Sequence, residues 1–262
     1  MDKKSLLDRS ARDTEERILL SHVLDVWERC DRRGIPGHTD FLSPAQQRAA
    51  QDLLHASGIH EGYAFLGGYE RAERRMLCFL PPWQDAPDEA ACMAALRASF
   101  REEDGVSHRD LLGSLMALGL TRGKFGDILT GPASADVLVC REIADYLLRE
   151  WSGAGHAKLR VTAVPLDALA VPELRVKEIR DTVATLRLDA VAASGFSMSR
   201  AKAAELIAAG RVQRNYRETT KGDAPVAQGD VISARGLGKF ELAEVGGLSK
   251  KGRTAIVLRR YL

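Results

Sequence analysis

The residues best suited to chemistry in this chain form an ordered series in its last third. Arg187-Leu188-Asp189 is followed by Ser199-Arg200-Ala201-Lys202, Leu206-Ile207, Gly210-Arg211-Val212, Asn215 and Gly229-Asp230-Val231-Ile232. Ser199 stands where a helix N-cap is wanted, and Arg200 and Lys202 fall in the first turn that follows. Cations there oppose the helix dipole. Their position makes sense if phosphates approach that end, where exposed N–H groups already favour an anion. From Val183 to Leu262 there are fourteen Lys and Arg against seven Asp and Glu, a net +7, whereas residues 1–182 carry a net −5. A basic segment of domain size on a mildly acidic body is expected to meet a polyanion. Lys250, Lys251 and Arg253 add charge in a glycine-flanked turn near the end.

Catalytic readings of the same residues fail. Arg187-Leu188-Asp189 matches the surroundings of the catalytic aspartate in pseudouridine synthases, but about seventy residues follow Asp189, too few for a catalytic domain. Asp189 is therefore expected to be a structural carboxylate at a helix start, close to Arg187. His108-Arg109-Asp110 matches a kinase catalytic loop, yet the chain has no glycine-rich phosphate loop, no Asp-Phe-Gly and no strand lysine motif. Asp110 suits the first turn of a helix instead. Gly123, Lys124 and Gly126 form no Walker pattern, though they could offer a basic loop to RNA. The cysteines Cys30, Cys78, Cys92 and Cys140 are scattered, without C-x-x-C or a histidine at ligand spacing, and are expected to be reduced thiols with no metal. No Ser/His/Asp or Cys/His grouping is recognisable. The chain reads as non-enzymatic, without a cofactor.

The elements that must position these residues follow from periodicity. Ile18, Leu19, Val23, Val26 and Trp27 predict an amphipathic helix stopped by Gly34-Ile35-Pro36-Gly37. Ser43-Pro44-Ala45-Gln46 predicts a second helix with a capping box and proline at its first position. Ala64–Tyr69 and Arg75–Leu80 alternate as strands. Six elements come next: strand Met93–Arg101, helix Arg109–Leu118, strands Asp127–Thr130 and Asp136–Cys140, helix Glu142–Trp151 and strand Lys158–Val164. That β-α-β-β-α-β order is the split βαβ pattern of a ferredoxin-like, RNA-recognition-type plait. Its strands carry Phe100 without a matching aromatic, so base stacking on the sheet is not expected. The basic module should then hold helices over Arg187–Ala193 and Arg200–Ala209, a strand over Arg211–Asn215 and another within Ala224–Ser233. The fold class is α+β, divided as 1–82 (helical segment with hairpin), 83–165 (plait), 166–182 (connector) and 183–262 (basic module with C-terminal extension). No apolar run approaches the ~18–20 residues of a membrane span and no secretory signal is visible, so the chain reads as cytoplasmic; it is also expected to be a monomer.

The ordered series resembles the S-four RNA-binding domain, named for the fourth protein of the small ribosomal subunit. Further segments resemble the YlmH family. They are Gly67-Gly68-Tyr69 with Ala72-Glu73-Arg74, His108–Gly113, Gly119, Lys124–Leu129, Gly236–Phe240 and Ser249–Arg253. The resemblance implies an N-terminal helical segment, a plait-like RNA-binding domain and a C-terminal S-four domain. It also implies a role on ribosomal RNA of the large subunit, with transfer RNA as a further partner, in handling obstructed subunits. The phosphate-facing residues implied are Arg187, Ser199, Arg200, Lys202, Arg211 and Asn215, with Arg235, Lys239, Lys250, Lys251 and Arg253 extending the patch. One departure stands out: the first strand of the domain usually alternates Val-x-Val-Asn, but here reads Val212-Gln213-Arg214-Asn215. Arg214 either marks a shifted strand or snorkels to the edge. An adaptor in cell division or membrane-complex assembly, and an RNA-modifying enzyme using the domain as a clamp, are the rival readings.

Overall fold

Capping chemistry sets the first helices. Helix α1 (Lys3–Ser10) leads into α2 (Thr14–Arg33), where the Asp13 side chain accepts from the Glu16 N–H and Gly34 closes the far end at φ 61°. The computed structural model describes residues 3–173, 175–249 and 252–261. Strand β1 (Gly37–Leu42) follows, then α3 (Pro44–Ala56), which starts on the expected capping box of Ser43 and Gln46. Strands β2 (Tyr63–Leu66) and β3 (Arg75–Phe79) complete a three-stranded sheet in the order β1-β3-β2. β1 is absent from the periodicity reading because Gly37-His38-Thr39-Asp40 is polar. Thr39 is nevertheless buried, with its hydroxyl donating to the Asp40 carbonyl at 2.8 Å and accepting from the Leu77 N–H at 3.1 Å.

Short helix α4 (Glu89–Cys92) leads into β4 (Met93–Ser99), α5 (His108–Ala117), β5 (Phe125–Thr130), β6 (Ser134–Cys140) and α6 (Ala144–Glu150). A two-residue pair, β7 (Gly153–Ala154) with β8 (Ala157–Lys158), precedes β9 (Arg160–Val164). The four long strands form an antiparallel sheet in the order β5-β6-β4-β9. Phe41 and Met76 of the first sheet share one core with Leu96, Leu111, Phe125 and Leu138. All of these elements belong to one of the chain's two compact units, Met1–Pro172.

The second unit is Glu173–Leu262. It contains β10 (Val176–Val183), α7 (Leu188–Gly195), α8 (Arg200–Ala208), β11 (Val212–Arg214), β12 (Arg217–Glu218), β13 (Val231–Ala234), β14 (Gly238–Leu248) and β15 (Thr254–Tyr261). The sheet order is β10-β15-β14-β13-β11-β12. The stretch 166–182, expected as a connector, thus supplies a strand. Every residue of β10 pairs with β15, but β10 is an edge strand with charges on both faces, so no buried alternation reveals it. The two helices pack on the sheet through Leu188, Val191, Ala203, Ile207, Val212, Ile232, Phe240 and Leu258, the side chains larger than alanine each contributing roughly 1.5–3 kcal/mol on full burial. Phe196 meets Phe240 edge-on at 5.0 Å. Gly195 lies so close to that ring that an added Cβ would sit 2.3 Å from Phe240. Among the described residues no helix is long and apolar enough to cross a membrane.

Candidate nucleic-acid interface

The expected site residues fall into three settings on the second unit. The first lies where α7 turns into α8. Asp189 is buried in the first turn of α7, and the segment 222–226 closes over that end. The Leu188 N–H donates to the Ala224 carbonyl, and the Asp189 N–H to the Gly222 carbonyl, each at 2.9 Å. Two guanidiniums converge on this carboxylate. Arg187 donates from Nε at 3.3 Å and Nη2 at 2.9 Å, and Arg200 donates from Nη2 to both oxygens at 3.0 and 3.1 Å. Burial alone would push the Asp189 carboxyl up, but the hydrogen bonds and charges of Arg187 and Arg200 outweigh it and hold it below the usual range. Asp189 is thus the structural carboxylate expected of it, and it orients two arginines whose side chains stay 42% and 52% exposed. Arg200 commits one guanidinium nitrogen to Asp189 and keeps its remaining donors.

Ser199 caps α8 by accepting from the Lys202 N–H at 3.2 Å, and Lys202 Nζ contacts Glu205 at 2.6 Å on the exposed face. Ser199, Arg200 and Arg253 line an open groove of about 540 Å³ beside Thr182 and the α7–α8 turn. Arg253 is moored there: its Nε donates to Thr182 Oγ1 at 2.9 Å and its Nη2 to the Thr182 carbonyl. Lys250 and Lys251 lie outside the described residues.

The second setting is an open groove of about 760 Å³ over β11 and β13, lined by Gly210, Arg211, Gln213, Ser233, Ala234 and Arg235. The side chains of Arg211 and Arg235 are exposed and make no hydrogen bond or ion pair to the described residues. Gln213 and Ser233 are cross-strand partners on the groove floor. Neither was among the expected residues, although strand alternation carries the signal: Val212 is buried, so Gln213 must face the other side. Lys239, opposite Ser233 on β14, places Nζ 5.1 Å from the centre of the Tyr261 ring, and its burial lowers the ammonium pKa.

Arg214 and Asn215 form the third setting, where they hold the fold. The strand is not shifted: Val212, Gln213 and Arg214 pair in register with Ala234, Ser233 and Ile232. Arg214 shares the face of Val212 and reaches the edge, donating to the Pro225 carbonyl and lying 3.9 Å from Asp230. Snorkelling resolves the departure from the usual valine. Asn215 takes a left-handed conformation at φ 51°. Its side-chain nitrogen donates to Asp230 at 2.7 Å and its oxygen accepts from the Val231 N–H at 2.9 Å, so both ends of its amide are used inside the module.

The family-like residues of the first unit meet in an interlock between its two sheets. Asp127 accepts from the Tyr69 hydroxyl at 2.7 Å and from the N–H groups of Glu73 and Arg74 at 2.7 and 3.1 Å. Arg74 donates to the carbonyls of Phe125 at 2.9 Å and Phe41 at 2.7 Å. Burial, helped by nearby Arg122, lowers its pKa to about 10, which still leaves it charged at neutral pH. Lys124 donates to Asp40 at 2.7 Å and Glu142 at 2.8 Å. Burial opposes its charge, yet the two carboxylates raise its pKa. Asp40, Cys140 and Glu142 gather their ligand atoms within 4.8 Å, but the Lys124 ammonium bonds both carboxylates and supplies the cation. Gly126 packs against Phe41, where an added Cβ would be 2.8 Å away. The basic loop that could have faced RNA is therefore spent inside the unit.

Comparison with known proteins finds one family model in each unit. A family model described as "Putative RNA-binding domain in YlmH" matches residues 102–168, and the S4 domain model matches residues 186–232. A chain that joins those two domains, with unspent arginines on the second, is an RNA-binding protein. It is 34% identical over 248 residues to "Ribosome-associated protein quality control protein P2" of Bacillus subtilis (strain 168), covering 94% of this chain and 95% of the relative. The chain belongs to the YlmH family. "Cell division protein ylmH from Streptococcus pneumoniae" aligns over 62% of this chain and 98% of its own, with a TM-score of 0.51 and 16% identity, a likeness of fold.

Proposed function

We propose that this protein is a non-enzymatic, cytoplasmic, monomeric factor that docks on structured ribosomal RNA of the large subunit, with transfer RNA as a further contact, in ribosome-associated quality control. The observation that carries this reading is the pair of grooves on the second unit, above all the one whose rim holds the Arg211 and Arg235 side chains without a partner among the described residues. Phosphate contacts from such side chains supply affinity, while the polar floor of Gln213 and Ser233 and the shape of the groove supply register. The printed name of the Bacillus subtilis relative supports the ribosomal setting. We read the four-stranded sheet of the first unit as a ferredoxin-like plait, supported by its strand order, which places the first and third strands of the βαββαβ run side by side at the centre.

The test is co-sedimentation of the full chain with large ribosomal subunits. Arg211→Glu combined with Arg235→Glu should abolish it while leaving circular dichroism and the unfolding midpoint unchanged, because neither arginine holds another residue. Undiminished co-sedimentation of the folded double variant would remove this groove from the interface. Arg200→Glu with Lys202→Glu should also abolish binding, but it frees Asp189 from one of its two partners and must be read alongside a stability measurement.

A further inference from the structure

Cys78 and Cys92 lie fourteen residues apart in the chain and bring their sulfur atoms to 3.9 Å. All four cysteines are free thiols. Cys78 stands next to the end of β3, paired across the sheet with His38 and Ala64 and almost wholly buried. Cys92 ends α4 immediately before β4 and is partly exposed. The two thiols thus come from the first sheet and from the short helix that leads into the second, one sealed and one reachable from solvent. Cys140, by contrast, is fully buried and directs its sulfur to Asp40 and the Gly123 carbonyl.

We propose that Cys78 and Cys92 form a peroxide-sensitive dithiol that closes to a disulfide between β3 and the end of α4. A disulfide has an S–S length of about 2.05 Å, so the sulfurs must approach by roughly 2 Å. The roles divide by environment. The Cys78 S–H donates to the Cys92 sulfur and His38 lies near, both favouring the Cys92 thiolate; burial and the carboxylates of Asp88 and Glu89 oppose it, and the balance lies below the ordinary thiol value. Its contact with Cys92, together with burial, keeps Cys78 protonated. The exposed thiolate is the nucleophile, as reactive cysteines require.

The reaction balances with hydrogen peroxide as the oxidant. The Cys92 thiolate attacks one peroxide oxygen, the O–O bond breaks and hydroxide leaves, giving a sulfenic acid at Cys92. The Cys78 sulfur then attacks the sulfenic sulfur as its proton is lost. The S–S bond forms and the S–O bond breaks, and water leaves. Two thiols have given up two electrons and two protons, and one peroxide has become two waters. The product staples β3 to the start of β4 alongside the Arg74–Asp127 interlock.

The experiment uses the full chain, reduced and then freed of reductant. With a small excess of hydrogen peroxide, thiol counting in denaturant should fall from four to two. Peptide mapping should find the Cys78–Cys92 link, two hydrogens lighter than the separate peptides. The oxidised protein should unfold at a higher urea concentration and return to the starting midpoint with dithiothreitol. Cys92→Ser should keep its three remaining thiols, whereas Cys78→Ala should stop at a sulfenic acid on Cys92 that a dimedone probe traps. Four thiols retained by the wild type, a bridge to Cys30 or Cys140, or a bridge only between two chains would each overturn the proposal. The wild-type mapping decides even if Cys78→Ala fails to fold.

Discussion

The two units spend their cations in opposite ways. In the first, Arg74 and Lys124 are surrounded by acceptors from three different segments and hold two sheets together. In the second, Arg211 and Arg235 stand at the rim of a groove with no partner among the described residues. Arg74, Lys124 and Arg211 all lie in segments that carry a family resemblance. Charge and motif alone therefore do not separate an RNA contact from a structural one. What separates them is whether the protein already satisfies the donors. Arg187 and Arg200 occupy the middle ground, since they are oriented by Asp189 and still about half exposed.

Breaking the interlock should have the largest effect on stability and none on the RNA groove. Arg74→Met removes the guanidinium donor of the Phe41 carbonyl and leaves the Phe125 carbonyl to Arg122 alone, at a cost of about 3 kcal/mol, read as a lower urea midpoint. The salt dependence of RNA binding should stay as in the wild type. Gly195→Ala drives a methyl group into Phe240 and should cost about 2 kcal/mol in the second unit, read by its thermal midpoint.

A smaller effect follows from Asp189. Its folded pKa is depressed, so its contribution is present above the unfolded carboxylate value and is lost as pH falls through the folded one. The stability difference between wild type and Asp189→Asn should be greatest near neutral pH and shrink below about pH 4. A difference independent of pH would mean that the two arginines do not depend on the carboxylate charge.

Local signals made much of this architecture legible. The capping box at Ser43 and Gln46, the Ser199 cap, and the helix-ending glycines Gly34 and Gly210 are written in adjacent residues, and each appears in the structure. The Ala203, Leu206 and Ile207 stripe is also buried as its spacing implies. What stayed hidden depends on distant partners. In the polar stretch of β1 Thr39 is buried because it finds the Leu77 N–H, 38 residues away, and β10, largely exposed on both faces, carries charges on both and shows its partner β15 only in the fold. Lys124 could not be told from an RNA contact until Asp40, 84 residues earlier, was seen beside it. Asn215, expected at a phosphate, spends its amide on a turn that closes with Asp230. Gln213 was legible in principle, since one buried neighbour fixes its side of the strand.

The most direct test of the account is the slope of RNA affinity against salt for the isolated effect of two arginines. Each phosphate contact contributes up to about 0.9 to the log–log slope on a duplex-like RNA. Arg211→Ala combined with Arg235→Ala should therefore make the slope shallower by up to about 1.8, with the unfolding midpoint unchanged. A folded double variant whose slope equals that of the wild type would contradict the claim that unspent cations of the second unit are what meets the RNA.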